Sequence, residues 1–143
     1  MDANTELLDY TYQNASMGVD TIDQLVELVE DKEFLNQLKD QFREYQEIRN
    51  EAIRMLNQHG HEEKDISAFA KLGTYMSISM KTLTDRSTSH IAQMMMQGST
   101  MGITEAARNI KKYEDVADKD VLDLIKRLLK TEENNFETLK KYV

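Results

Sequence analysis

The phrase QNASMGVD at residues 13–20 returns, little changed, as QGSTMGIT at residues 97–104. The two copies lie 84 residues apart and share a glutamine, a methionine and a glycine at matching positions. A second stretch also repeats, because DKEFLNQLKDQFR begins at residue 31 and DKDVLDLIKRLLK begins at residue 118, 87 residues later. Two repeats in the same order and at nearly the same spacing predict two copies of one helical hairpin, with a turn three residues longer in the second.

The composition of the chain favours helices throughout. The 143 residues contain no proline and five glycines, so few residues can interrupt a helix. Apolar side chains recur at steps of four and three residues, the spacing of one helix face. In the repeated hairpins these predicted faces consist of Leu8, Tyr12, Ala15, Val19, Ile22, Val26 and Val29; Leu35, Leu38, Phe42, Tyr45, Ile48, Ala52 and Leu56; Ala92, Met96, Ser99, Ile103, Ala106, Ile110 and Tyr113; and Leu122, Ile125, Leu129, Glu132, Phe136 and Leu139.

These patterns predict one all-α domain over residues 1–143, with five helices. The first hairpin covers 5–58, a crossover helix covers 65–84, and the second hairpin covers 87–142. The first helix is expected to extend from about Thr5 to Glu30. Asp31 and Asp118 precede the second helix of each hairpin, where an aspartate side chain can accept a backbone N–H as an N-cap.

The arrangement resembles the ferritin-like four-helix bundles, in which two hairpins are related by a pseudo-twofold axis and joined by a long crossover. The stretch QFREYQEIRNEAIRML at residues 41–56 is similar to the second helix of small bacterial ferritin-like families of unknown function. The resemblance implies that residues 65–84 form the crossover. It also implies where a di-iron centre would lie, with a glutamate from each of two helices and a Glu-x-x-His pair from each of the other two.

The inward positions of this chain do not supply that ligand set. Small or aliphatic residues occupy the places of the two single glutamates, around Ala15 and Ser99, and Glu132-x-x-Asn135 is the one remaining half of a Glu-x-x-His pair. We therefore predict no metal, no cofactor and no catalytic residues. His59 and His61, followed by two glutamates, could hold a divalent ion, but a solvated loop is the simpler interpretation, and His90 is expected to be exposed.

Glu132 is the charged member of an otherwise apolar helix face, so it needs a structural explanation. It lies 87 residues after Tyr45, and residues related by the repeat can meet across a pseudo-twofold axis. A carboxylate buried alone is very costly, so we predict that Tyr45 or Arg49 donates a hydrogen bond to it. Gly18 and Gly102, at equivalent points of the two repeats, are predicted to admit a neighbouring helix or a bulky side chain. A cavity for a small apolar ligand is the alternative.

Charge and composition narrow the classes of function. The net charge of −8 argues against nucleic acid as a partner, and no apolar stretch is long enough for membrane insertion. The chain has no cysteine, and its acidic start lacks a signal peptide, so a cytoplasmic location is expected. Of the nine methionines, Met96 is assigned to the core, whereas Met94 or Met95 is expected to meet the crossover helix or another subunit.

The sequence favours a protein that is not an enzyme and acts by self-association or by binding a protein partner. A homodimer is the simplest expectation, because Leu72, Tyr75 and Ile78 lie away from the main apolar face of the crossover helix. The alternative is an iron- or manganese-binding ferritin-like oxidoreductase or storage protein with an atypical site around Glu132.

Overall fold

The computed structural model describes residues 2–61 and 83–143, which form four α-helices. Helix α1 spans Ala3–Leu25, α2 spans Lys32–Gln58, α3 spans Thr88–Tyr113 and α4 spans Lys119–Leu139. A short 3-10 turn, Lys140–Tyr142, follows α4. Helix α1 packs along α2 and α3 packs along α4, so the chain contains the two hairpins that the repeat predicts.

The prediction of five helices is wrong. The described residues form a bundle of four helices in two hairpins, which supply the described core apart from Leu83. The crossover helix predicted at 65–84 falls almost wholly outside the described residues. The first helix is also shorter than predicted, since α1 ends at Leu25 and a turn leads to Asp31.

Local signals explain where most helices begin and end. The Asp31 side chain accepts a hydrogen bond from the backbone N–H of Phe34 at 2.8 Å, as predicted for an N-cap. Ser87 caps α3 in the same way through His90 N–H. Asp118 occupies the N-cap position of α4, but its side chain makes no capping hydrogen bond. Helix α2 ends two residues before Gly60, whose φ of 78° is readily adopted only by glycine.

The two hairpins meet along α2 and α4, which run antiparallel. Three contacts follow this interface: Tyr142 donates to Glu33 at 3.0 Å, Tyr45 donates to Glu132, and Arg127 donates to Glu47 at 2.8 Å. The central pair joins residues that the repeat makes equivalent, 87 positions apart. Thr131 and Glu44, also 87 apart, hydrogen-bond at 3.4 Å beside it. Contacts between equivalent residues place a pseudo-twofold axis here.

The buried face of each helix includes residues one position before several of the predicted ones, while predicted residues such as Leu38 and Ile48 are buried as expected. In α2, for example, Phe34 and Gln41 are buried, whereas Leu35 and Phe42 are only half-buried. The spacing of four and three is kept, so the helix pattern is right and its rotation is slightly wrong. The same offset places Met94 and Met95 in the core and leaves Met96 half-buried, which corrects the assignment of Met96 as the core methionine.

Candidate functional site

A polar cluster lies on the pseudo-twofold axis at the centre of the bundle. Among the residues that the structure describes, Glu132 is the one charged side chain in the core, with 3% of its surface exposed. The Tyr45 hydroxyl donates a hydrogen bond to Glu132 Oε1, and Asn135 Nδ2 donates to the Tyr45 hydroxyl at 3.1 Å. Ser99, from α3, adds another hydrogen bond to the carboxyl. Three helices thus contribute to one buried network.

The predicted partner of Glu132 is confirmed to be Tyr45. Arg49, the other candidate, lies instead with its guanidinium 5.7 Å from the centre of the Tyr12 ring, in the range of a cation–π contact. A neutral phenol satisfies a buried carboxyl without bringing a second charge into the core. The pair therefore avoids most of the desolvation that an arginine–glutamate pair would require.

Burial dominates the electrostatics of this cluster. Loss of water raises the pKa of Glu132 from 4.5 to about 7, while the hydrogen bonds from Tyr45 and Ser99 act in the opposite direction. Burial and the neighbouring carboxyl raise the pKa of Tyr45 well above its usual value. Near neutral pH the tyrosine is therefore a neutral donor, and Glu132 passes between its protonated and ionised forms.

The repeated glycines accommodate the two halves of this pair. A Cβ atom on Gly18 would lie only 2.6–2.8 Å from three ring atoms of Tyr45. A Cβ atom on Gly102 would lie 2.9 Å from Glu132 Oε2. Each glycine thus leaves room for the axis residue of its own hairpin, which confirms the prediction that the repeated phrase admits a bulky neighbour. The Gly102 carbonyl also accepts a hydrogen bond from the Tyr10 hydroxyl at 3.2 Å, which ties α1 to α3.

A small cavity of about 50 Å³ adjoins the cluster. Its lining combines small, apolar and polar residues, and the alternative of a small apolar ligand there stays a prediction. The lining residues are Asn14, Met17, Gly18, Thr21, Ile22, Gln41, Tyr45, Met95, Gly98, Ser99 and Glu132. The repeated phrases border the cavity from α1 and α3, so the repeats, the axis and the cavity coincide.

The other candidate residues lie elsewhere. His59 is at the C-terminal end of α2 and His61 follows it, while the two glutamates after them are outside the described residues. His90 is exposed near the start of α3, as predicted. Within 2–61 and 83–143, no group of three His, Cys, Asp or Glu side chains is placed to hold a metal ion.

The sequence pattern indicated Glu132 and Tyr45 but missed several of their neighbours. In the sequence, Asn135 stands where a metal-binding Glu-x-x-His pair would have its histidine. In the structure, its side chain donates a hydrogen bond to the Tyr45 hydroxyl. Gln41 was overlooked because the predicted face of α2 included Phe42. A register starting at Phe34 and stepping by four and three would have included Gln41, so the signal was present in the spacing.

Comparison with known proteins agrees with the fold and gives no function. No family model matches the chain, and no curated protein matches it. The fold is similar to a crystal structure of a DUF305 fragment from Deinococcus radiodurans, with a TM-score of 0.78 and 11% sequence identity. The match covers 99% of this chain and 95% of that chain. At this identity the likeness establishes a shared four-helix fold.

A search of the described helices for membrane-spanning segments found none of sufficient length and apolar character.

Proposed function

We propose that the protein is a non-enzymatic helical bundle that acts by self-association or by binding a protein partner. The observation that supports the proposal is that the Glu132 carboxyl is buried and hydrogen-bonded within its own chain. The buried carboxyl, which would be the natural candidate for acid–base chemistry, is enclosed and hydrogen-bonded to Tyr45 and Ser99 of its own chain. A raised pKa is typical of catalytic groups, but it is equally typical of carboxyls buried in structural networks. Here the network joins the two hairpins.

The surface that would meet a partner is proposed to lie in residues 65–84. On the described surface, the exposed large apolar residues are Val116 and Val143, exposed by 70% and 54%, in the α3–α4 turn and at the last position. Single apolar residues of this kind are ordinary on a protein surface. The sequence of 65–84 adds Leu72, Tyr75 and Ile78 to its main apolar face, and a twofold dimer is the simplest assembly that would cover them.

Sedimentation of the wild-type chain and of a Leu72→Glu/Ile78→Glu variant at high micromolar concentration tests self-association. We expect a wild-type dimer and a monomeric variant that keeps its helical circular dichroism. Val116→Glu is the matched control, because it places the same charge on an exposed apolar residue outside the proposed surface and should leave the dimer intact. A strictly monomeric wild type would contradict self-association. Partner binding would then be tested by pull-down from native cells, with the double variant as the control.

A second candidate function is binding of iron or manganese near Glu132. The observation in its favour is that the Glu132 carboxyl borders the cavity. Against it, the cavity lining offers one carboxylate together with amides, hydroxyls and thioethers, which are weak partners for these ions. Titration with ferrous iron, or elemental analysis of protein purified without chelators, separates the two. Stoichiometric metal that is lost in a folded Glu132→Leu variant would favour this second function over the first.

A further inference from the structure

The cavity contains a buried polar atom that the fold leaves unsatisfied. Gln41, on α2, is 5% exposed and lines the cavity, and its side-chain nitrogen Nε2 has no hydrogen-bond partner among the described protein atoms. Buried amide groups are nearly always hydrogen-bonded in folded proteins, because removing them from water without a partner is costly. The Gln41 amide therefore points to a molecule that accepts its hydrogen bond.

A second donor lies at the same cavity. Asn14, on α1, is 4% exposed, and its side chain hydrogen-bonds to the Tyr10 hydroxyl. Its Nδ2 has two N–H groups, so one of them is still free to donate to another acceptor. Asn14 Nδ2 and Glu132 Oε2 both lie beside Gly102, at 3.4 Å and 2.9 Å from the position of a Cβ atom there. Asn14 and Glu132 also both line the cavity, so an amide donor and a carboxyl acceptor border the same space.

We propose that this cavity is an internal water-binding site, in which water accepts hydrogen bonds from Gln41 and Asn14 and donates to Glu132. The size fits this occupant. A volume of about 50 Å³ exceeds the roughly 10–15 Å³ that one water needs and is well below the roughly 150 Å³ of cavities that take benzene. The polar partners fit as well, since buried waters typically make two to four hydrogen bonds.

Both amide donors of the site come from the first hairpin. The residue equivalent to Gln41 in the second hairpin is Leu128, which is fully buried, and the residue equivalent to Asn14 is Gly98. The first hairpin therefore supplies two amide donors to the cavity, and the equivalent residues of the second hairpin supply none. Water bound in the cavity hydrates the Glu132 carboxyl and favours its ionised form.

The water is detected directly by nuclear Overhauser contacts between solvent and the Gln41 side-chain amide protons, recorded on the full chain. We expect contacts with a slowly exchanging water at Gln41 and Asn14 in the wild type. Gln41→Leu, which copies the residue of the second hairpin, should remove the contact at Asn14. It should also raise the pKa of Glu132 by roughly one unit, because the carboxyl loses a hydrogen-bond donor. The titratable groups that face Glu132 are Tyr10 and Tyr45, and both stay neutral in the pH range of the measurement.

Gln46→Leu is the matched control, because Gln46 is exposed on the same helix and its replacement should change neither signal. Gln41→Met provides a second test if the leucine variant does not fold, since methionine is similar in length and lacks the amide. Absence of a water contact at Gln41, or an unchanged Glu132 pKa in a folded variant, would overturn the proposal. A further experiment follows the amide signals of the wild type while sodium formate is added. Shifts confined to Gln41 and Asn14, and absent with sodium chloride, would show that the site takes a small carboxylate instead.

Discussion

The two hairpins follow the same path but place different chemistry on the axis between them. Helix α2 of the first hairpin brings Tyr45 to the axis, and α4 of the second brings Glu132 to the equivalent place. Two identical residues there would make a poor pair, because two glutamates would repel or share one proton, and two phenols would lack a strong acceptor. The asymmetric pair supplies one donor and one acceptor. Divergence of the two copies at this position is what allows the centre of the bundle to be polar.

The residues next to Tyr45 and Glu132 also differ between the two hairpins. The glycine opposite each axis residue is retained in both hairpins, because both a ring and a carboxyl need the space. Beyond it the copies differ: Ala15 in the first hairpin corresponds to Ser99 in the second, and only the serine can hydrogen-bond to the carboxyl. The glycines that make room are the same in both hairpins, whereas the serine that hydrogen-bonds to the carboxyl is present in the second hairpin only.

The largest expected difference between Tyr45 and Glu132 lies in how each makes the free energy of unfolding depend on pH. Glu132 has a pKa of about 7 in the fold against an ordinary value of 4.5, so the folded state holds this proton more tightly than the unfolded chain. The stability that this bound proton contributes is fully present below about pH 4.5. It is lost as the pH rises through about 7, and the total loss is up to about 3 kcal/mol. Tyr45 does not titrate in this range.

Denaturant unfolding at pH 5 and pH 7.5 measures this effect against Glu132→Gln, which cannot titrate. The wild type should lose more stability than the variant on going to the higher pH. Glu133→Gln, an exposed neighbour on α4, is the control and should keep the wild-type dependence. Equal pH dependence in the wild type and Glu132→Gln would mean that the carboxyl is not buried as described.

The next effect concerns the hydrogen bond that joins the hairpins. Tyr45→Phe removes one of the two hydrogen bonds to the Glu132 carboxyl, which keeps Ser99, and takes the acceptor away from the Asn135 amide. It should destabilise the fold by about 1–3 kcal/mol. Adding Glu132→Leu to this variant should recover much of the loss, because an apolar pair needs no hydrogen bond.

Thermal melts of the two single variants and the double variant give the coupling energy of the pair. Arg49→Leu serves as the control, since its guanidinium lies over Tyr12 and should leave that coupling unchanged. Strictly additive losses in the Tyr45 and Glu132 variants would show that the two side chains do not interact.

The smallest effect compares the two glycines. Alanine at Gly18 would press on the rigid ring of Tyr45, at a cost of about 1–3 kcal/mol that a gain in helix propensity of about 1 kcal/mol offsets only in part. Alanine at Gly102 meets the end of a flexible carboxyl side chain, so its net effect should lie within about 0.5 kcal/mol of zero. Chemical denaturation of both variants tests the order, and a greater loss at Gly102 would reverse the assigned roles.

Much of the architecture could be predicted from sequence because it rests on local signals. The absence of proline, the spacing of apolar residues by three and four, and the aspartate at position 31 are properties of short segments, and they indicated helices and their starts. The repeat added a long-range constraint that is rarely available in one sequence. It made Tyr45 one of two predicted partners of Glu132, beside Arg49, since equivalent residues can meet on a symmetry axis.

The sequence by itself therefore determined two helical hairpins and narrowed the partner of Glu132 to Tyr45 or Arg49, and the structure decided for Tyr45. Tertiary structure alone decided how far each helix rotates about its own axis, because that angle depends on how all four helices pack together. A shift of one residue turned Gln41 and Met95 inward and left Phe42 and Met96 half-buried. This rotation also set the cavity and the amides around it. Their positions follow from the distances between helices, which no local pattern specifies.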